Sequence, residues 1–182
     1  MSDLASLRDL ATRWHAADPD AATRGAIATM LEQGDEAGLR ACFSGQLGFG
    51  TAGIRGTMGP GPNRMNLALV RQVTWGLAQY VLKACGPGAV VVVGRDGRRN
   101  SEVFTDEAAR LLAHAGLQVR RYDGVVPTPV LAHAVTALGA QAGVMITASH
   151  NPPADNGYKV YWGNGAQIVP PHDGGIADEI AA

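Results

Sequence analysis

Charge is scarce in this sequence of 182 residues: only 17% are Asp, Glu, Lys or Arg, and the net charge is −1. A chain so nearly neutral has no global field to gather nucleic acid or a membrane surface. Cysteine is scarcer still. Cys42 and Cys85 stand alone, without a CxxC pair or metal-ligand spacing, and read as small buried thiols in a reducing compartment. The first residues, MSDLASLRDL, lack the basic start and apolar stretch of a signal peptide. The strongly apolar runs, such as Ala89–Val93, fall far short of the roughly 20 residues that a membrane helix needs. A soluble cytoplasmic protein with no nucleic-acid or membrane partner is therefore expected. Acidic residues are missing altogether between Glu36 and Asp96, where the charges are Arg40, Arg55, Arg64, Arg71, Lys83 and Arg95. A long window of one sign suits an anionic ligand, although solvated helix faces produce the same count.

Glycine, by contrast, is abundant. The 24 Gly residues are roughly twice the usual ~7% share, yet Gly and Pro together stay below the ~25–30% of low-complexity chains. Hydrophobic residues make up 46% of the chain, enough for a packed core, and the length fits one domain with a small appendage.

Leu4, Leu7, Leu10, Ala11 and Trp14 recur at helical spacing, as do Ala26, Ile27, Met30 and Leu31. Residues 1–45 thus read as a helical extension of two or three short helices, broken near Asp18-Pro19 and Gly34. The glycine-dense segment 48–62 cannot be helix. A 3.6-residue period resumes from Leu67 to Val81 and stops near Gly86-Pro87-Gly88. Beyond it, short apolar strands alternate with helices. Ala89–Val93, Leu117–Tyr122 and Gly143–Thr147 read as strands; a helix capped by Ser101 and another over Thr128–Leu138 separate them. Tyr158–Trp162 and Ala166–Val169 flank a hairpin turn at Gly163-Asn164-Gly165. The alternation predicts an α/β fold with a mostly parallel sheet between helices over residues 46–182. Ligands of such sheets gather at the carboxyl ends of strands. Three loops lie there: residues 94–98, 124–129 and 148–152.

Gly48-Phe49-Gly50-Thr51-Ala52-Gly53 matches G-x-G-x-x-G, but a helical pattern precedes it and no acid follows about 20 residues on, so a dinucleotide site is disfavoured. What remains is a loop whose backbone can approach an anion, with Thr51 and Arg55 as its polar members. A tight surface turn with Arg55 in a salt bridge fits equally well. In Gly94-Arg95-Asp96-Gly97-Arg98, the arginines either face an anion or pair with nearby acids. Asp96 reads as structural and Arg98 is undecided. Ser149 beside His150 is no hydrolase pair, because neighbours in extended chain point to opposite faces. From spacing alone, Thr147–Pro153 is an ordinary Ser/Asn turn. Lys159 follows an expected Asn156-Gly157 turn and begins a strand. It is one of only two lysines against 13 arginines, a bias under which a surviving lysine points to a need for its compact ammonium. A solvated edge-strand lysine is the plain alternative. His114, His133 and His172 show no ligand spacing and read as surface or capping residues.

Taken together, Phe49–Gly56, Val93–Arg98, Thr147–Pro152 and Asn156–Lys159 resemble, in order, four motifs of the first domain of the α-D-phosphohexomutase superfamily. The helical lead and residues 58–66 are similar to its longer branch, which holds phosphoglucomutases, phosphopentomutases and bacterial phosphomannomutases. The resemblance implies a phosphosugar mutase. Ser149 would carry the phosphoryl group, whose oxygens would also ligate Mg²⁺. Lys159 would assist proton transfer and offset phosphate charge, and Arg55 would stabilise the phosphoryl group in flight. His150 and Asn151 would shape the loop, and Thr51 would join the phosphate contacts. A sugar bisphosphate would be intermediate and activator. Complete members have four domains, and the metal loop, sugar-recognition loop and final phosphate-binding loop are not found in these residues. The expectation is a fragment or lone domain that cannot complete the cycle, with a non-catalytic sugar-phosphate-binding domain as the alternative.

Overall fold

The computed structural model describes residues 3–182. Its helices are α1 (Leu4–Ala17), α2 (Ala21–Gln33), α3 (Glu36–Phe43), α4 (Leu67–Cys85), α5 (Ser101–His114), α6 (Thr128–Ala137) and α7 (His172–Ala181). The strands are β1 (Ile54–Thr57), β2 (Val90–Arg95), β3 (Gln118–Val125), β4 (Ala142–Ile146) and β5 (Asp155–Trp162). The five strands form one sheet in the order β1-β5-β4-β2-β3.

The α/β class holds, but the sheet is mixed. β2 runs parallel to both β3 and β4, as the βαβ alternation requires, whereas β5 is antiparallel to β4 and to β1. The antiparallel half exists because β4 and β5 are joined by the short polar loop 147–154, with no crossover helix to return the chain. β1 lies in the glycine-dense segment that the sequence offers only as loop. Its four residues, Ile54-Arg55-Gly56-Thr57, carry no strand signal of their own and are ordered by pairing with β5.

One face of the sheet packs on α4, α5 and α7 through Leu69, Val73, Leu77, Phe104, Ala108 and Ile176 against Val91, Val93, Val144, Ile146, Tyr158 and Val160. The other face packs on α6, through Leu131 and Val135 against Val92, Met145 and Tyr161. Each of these fully buried apolar side chains stabilises the fold by about 1.5–3 kcal/mol in transfer terms.

The first three helices have a core of their own, Leu7, Ala11, Ile27, Leu39, Cys42 and Phe43. Burial pushes the Cys42 thiol above its ordinary range. α2 starts on the Asp20 carboxylate, which accepts from Ala22 N, and ends at Gly34 in the left-handed conformation. This unit grips the loop that follows β1. Asn63 N and Nδ2 donate to the α3 carbonyls of Cys42 and Ala41, and Leu47 N donates to Pro62 O. Asn66 completes that loop: its amide nitrogen donates to the carbonyls of Gly59, Gly61 and Arg64, while its oxygen caps α4 at Leu69 N.

Three local expectations change. The cap of α5 is Asn100, in the left-handed region at φ 66°, and Ser101 is the first helical residue. The Asn156-Gly157 pair is no turn but lies inside β5, so Lys159 sits mid-strand rather than at its start. The Asn156 side chain is fully buried and donates to Arg99 O and Ser101 Oγ, a role that requires extended backbone there. His172, half-buried, is stacked on Trp162 at 4.1 Å and hydrogen-bonded to the Tyr80 hydroxyl at 3.0 Å, holding α7 to the sheet.

Candidate active site

The site forms where β2 and β4 end and β1 and β5 pair. Directly opposed residues in neighbouring strands share a face of the sheet. Ile54 opposes Tyr158, and both are buried towards α4. Arg55 opposes Gly157, which places Arg55, Gly157 and Lys159 on the other face, where Met145 opposes Lys159. Arg55 is exposed and Lys159 half-buried, so both cations remain within reach of a solvent-borne anion. Since β1 is the edge strand, β5 is interior and Lys159 is no edge-strand lysine.

The Gly50–Gly53 turn lies against Lys159. Gly50 and Gly53 exchange backbone hydrogen bonds of 3.1 and 2.7 Å, and Gly53 has φ +73°. A Cβ on Gly53 would stand 2.0 Å from Tyr158 O and 3.0 Å from Lys159 Cα, so glycine is obligatory. Thr51 is exposed at the tip, and its carbonyl accepts from Gln167 Nε2 at 2.7 Å.

Ser149 sits at the head of the second loop. The extended course expected for this segment is wrong: Asn151 N donates to Ala148 O at 3.0 Å, closing a tight turn with Ser149 at φ +59°. A non-glycine residue in the left-handed region costs about 1–3 kcal/mol and persists where its surroundings over-determine it. Here they do. Thr147 Oγ1 accepts from Ser149 N at 2.9 Å. The Arg98 guanidinium reaches the loop from the β2 end and donates to four carbonyls: Ser149 and Asn151 through Nη2, Pro152 and Asp155 through Nη1, at 2.8–3.0 Å. The turn brings Ser149 Oγ to 3.4 Å from His150 Nδ1, a long contact, with both residues exposed.

Asn151, half-buried, donates through Nδ2 to Asp155 Oδ2, and Thr57 donates to Asp155 Oδ1, each at 2.9 Å. These two bonds, Asn151 first, hold the Asp155 carboxyl below its ordinary range, and the charges of Arg98 and Arg55 act in the same direction. Asp155 thereby ties the serine loop to β1 through Thr57. Residues 96–99, Asn151, Pro153 and Ala154 line an open cavity of about 690 Å³ beside this loop.

The structure thus gathers Ser149, His150 and Asn151 on one loop and places Arg55, Lys159 and the Thr51 turn on the adjoining strands. Sequence reasoning missed Thr57, Thr147 and Asp155. Thr147 stood in a quoted motif, but its hydroxyl acceptor role has no spacing signature.

Magnesium finds little to hold it here. Mg²⁺ takes octahedral oxygen ligands, commonly one or two carboxylates with phosphate oxygens and waters. Around Ser149 the carbonyls are spent on Arg98, and the Asp155 carboxylate on Asn151 and Thr57. Among the described residues no group of three or more His, Cys, Asp or Glu is placed to bind a metal. These residues alone do not fit a Mg²⁺ cage. No described helix is long and apolar enough to cross a membrane.

Residues 46–182 match the family model for the α/β/α domain I of phosphoglucomutase and phosphomannomutase. The chain belongs to that family. Among curated members, it is 41% identical over 179 residues to the phosphoribomutase of Saccharomyces cerevisiae, covering 97% of this chain and 29% of the relative. It is 40% identical over 180 residues to the human phosphopentomutase, covering 92% and 29%. A solved phosphoglucomutase/phosphomannomutase family structure from Burkholderia thailandensis superposes with TM-score 0.61 at 30% identity, covering 73% of this chain and 29% of that one. The chain spans about 30% of the length of the curated relatives it matches. The family is one of phosphosugar mutases, and the four motifs that carried the resemblance all fall within the matched region.

Proposed function

We propose that this chain provides the phosphoryl-carrying serine and part of the phosphate-binding wall of a phosphosugar mutase, acting with further segments of a longer protein. The substrate class is a sugar 1-phosphate interconverted with its 6-phosphate, or with a 5-phosphate where the sugar is a pentose. The names of the relatives support either form. The observation that carries the reading is the presentation of Ser149: exposed, in a braced left-handed turn, beside a sheet face that offers Arg55 and Lys159.

In the forward half-reaction, phosphoserine donates to a free hydroxyl of the sugar monophosphate. The bond between phosphorus and Ser149 Oγ breaks as the bond to the sugar oxygen forms, giving a sugar bisphosphate. The second half-reaction reverses these roles at the other phosphate and regenerates phosphoserine. Transfer of this kind depends on positioning and on charge stabilisation more than on covalent help from the protein. Arg55 stabilises the equatorial oxygens in flight, since a guanidinium matches phosphate geometry in a bidentate contact. Lys159 offsets phosphate charge and assists the proton transfer by which the hydrogen of the attacking hydroxyl ends on the departing Ser149 Oγ. His150 and Asn151 shape the loop, and the Thr51 turn offers backbone N–H groups to phosphate. Ser149 needs no adjacent base in the first half-reaction, because it begins the cycle already phosphorylated; in the second, its hydroxyl proton passes to the sugar oxygen that leaves. A sugar bisphosphate primes the enzyme by phosphorylating Ser149. Were Mg²⁺ held by other segments of the longer protein, a phosphorylated Ser149 would offer it an oxygen ligand from this chain, and the ion would add positive charge beside the phosphate. The compartment is the cytoplasm, and residues 1–45 form an extension to the domain 46–182.

The test is carried out on the full-length gene product. Phosphate is expected on Ser149 by mass spectrometry, and Ser149→Ala is expected to lose both phosphorylation and mutase activity. An active Ser149→Ala protein, or an unmodified Ser149 in an active enzyme, overturns the reading.

A further inference from the structure

Arg98 is the one arginine near the site whose donors are all accounted for. Its four Nη hydrogens go to the carbonyls of Pro152, Asp155, Ser149 and Asn151. Its Nε faces Asp96 Oδ2 at 3.2 Å, and its own backbone N–H donates to Asp96 Oδ1 at 3.0 Å. A guanidinium has five N–H donors and no acceptor. The four Nη hydrogens are bonded to carbonyls and Nε stands in an ion pair with Asp96, so little is left for a substrate phosphate, and the side chain is only 16% exposed.

The far end of this bracket is equally fixed. Asp96 Oδ1 also accepts from Ser101 Oγ at 2.9 Å, and Ser101 Oγ accepts from the buried Asn156 Nδ2 at 3.1 Å. Asp96 N donates to Ile146 O, which locks the β2 loop to the end of β4. The serine loop is therefore clamped to the interior of the sheet by one side chain that itself rests on a fully buried polar pair, Ser101 and Asn156.

We propose that Arg98 is a positioning residue for phosphoryl transfer: it holds the Ser149 turn in its left-handed form and so fixes the direction of Ser149 Oγ. This rests on the reading of Ser149 as phosphoryl carrier. Four carbonyls drawn to one cation fold the loop around it. The inward pull on Ser149 O and Asn151 O keeps their peptide planes turned away from the cleft, and Ser149 Oγ is left on the exposed side. The arginine that the sequence leaves undecided is the one that shapes the loop, while Arg55 remains for the phosphate.

The experiment uses the full-length protein with Arg98→Met and Arg98→Lys. A displacement of about 1 Å at a reacting group costs on the order of 100-fold in rate, so kcat of Arg98→Met is expected to fall by about that factor. KM for the sugar monophosphate is expected to stay within about threefold, because binding contacts common to ground and transition state are untouched. Arg98→Lys, with three donors for four carbonyls, is expected to recover part of the lost kcat, and it is the variant to read if Arg98→Met does not fold. Amide exchange of residues 149–151 is expected to quicken in both. A KM raised about tenfold or more with kcat retained makes Arg98 a substrate ligand and overturns the proposal; so does an unchanged kcat in either variant. An active Ser149→Ala protein overturns instead the phosphoserine reading beneath it, whatever the Arg98 variants do.

Discussion

Two loops meet at this site and are held by opposite means. The Gly50–Gly53 turn is shaped by its own backbone: two reciprocal hydrogen bonds, a left-handed glycine, and a close approach to Tyr158 O and Lys159 Cα that no side chain tolerates. The Thr147–Asp155 loop is shaped by side chains, with Arg98, Thr147, Asn151 and Asp155 all spent on it. The difference teaches where each loop is vulnerable. The first fails when an atom is added, the second when one is removed. It also matches the proposed work. A loop that wraps a phosphate needs bare backbone N–H groups, and a loop that carries the phosphoryl group needs a single direction for one oxygen.

The largest effect is expected at the glycine loop. Gly53→Ala places a Cβ 2.0 Å from a backbone carbonyl of β5 at a φ of +73°. The left-handed backbone alone costs about 1–3 kcal/mol, and the clash cannot be relieved by a rotamer change. Loss of the β1–β5 pairing is expected, read as fast amide exchange at Ile54 and Gly56, together with a large loss of phosphosugar turnover. Protected amides in β1 of that variant would show that the turn is not held by backbone approach.

How legible this arrangement is in the sequence follows the same division. The helices are legible because apolar residues at 3.6-residue spacing, with Asp18-Pro19, Gly34 and Gly86 at their breaks, are local signals. The βα alternation is legible for the same reason, and with it the gathering of the 94–98 and 148–152 loops. β1 is not, because Ile54-Arg55-Gly56-Thr57 becomes a strand only through partners about 100 residues away. Asn156-Gly157 misleads because a pair that usually turns is here squeezed between β1 and Thr147, where only glycine fits. Spacing alone makes the Ser149 segment an ordinary turn, and the resemblance carried its role. Arg98 stays undecided in sequence because its acceptors are carbonyls, which every residue possesses.

A middling effect is expected from the buried end of the bracket. Asn156→Ala removes the donor that satisfies Arg99 O and Ser101 Oγ in a fully buried setting. Leaving such groups unsatisfied costs about 1–3 kcal/mol. The cost is expected to appear as lowered stability of the full-length protein, with faster amide exchange at Ser101 and Ser149 and little change at Gly50–Gly53. Equal loosening of both loops would mean that they are one mechanical unit, and the contrast drawn between them would fail.

The smallest effect is a pH dependence confined to the serine loop. Asp155 is the carboxylate concerned: it accepts from Asn151 first and Thr57 second, and its pKa in the folded chain lies below the ordinary value of 3.8. The folded state therefore binds this proton less readily than the unfolded chain does. Its contribution is fully present above the ordinary Asp range and is lost as pH falls through the depressed folded value. The carboxylate is largely open to solvent, so the contribution is small and salt-sensitive. Amide exchange at Asn151 and Asp155, corrected for the intrinsic pH dependence of exchange, is expected to lose protection below the ordinary carboxylate range, while Gly50 and Gly53 keep theirs. Asp155→Asn is expected to abolish that acid transition and to leave the glycine turn unmoved, since none of the turn's own bonds involves a titrating group. An acid transition of the same size in both loops would assign it to global unfolding and remove Asp155 as its cause.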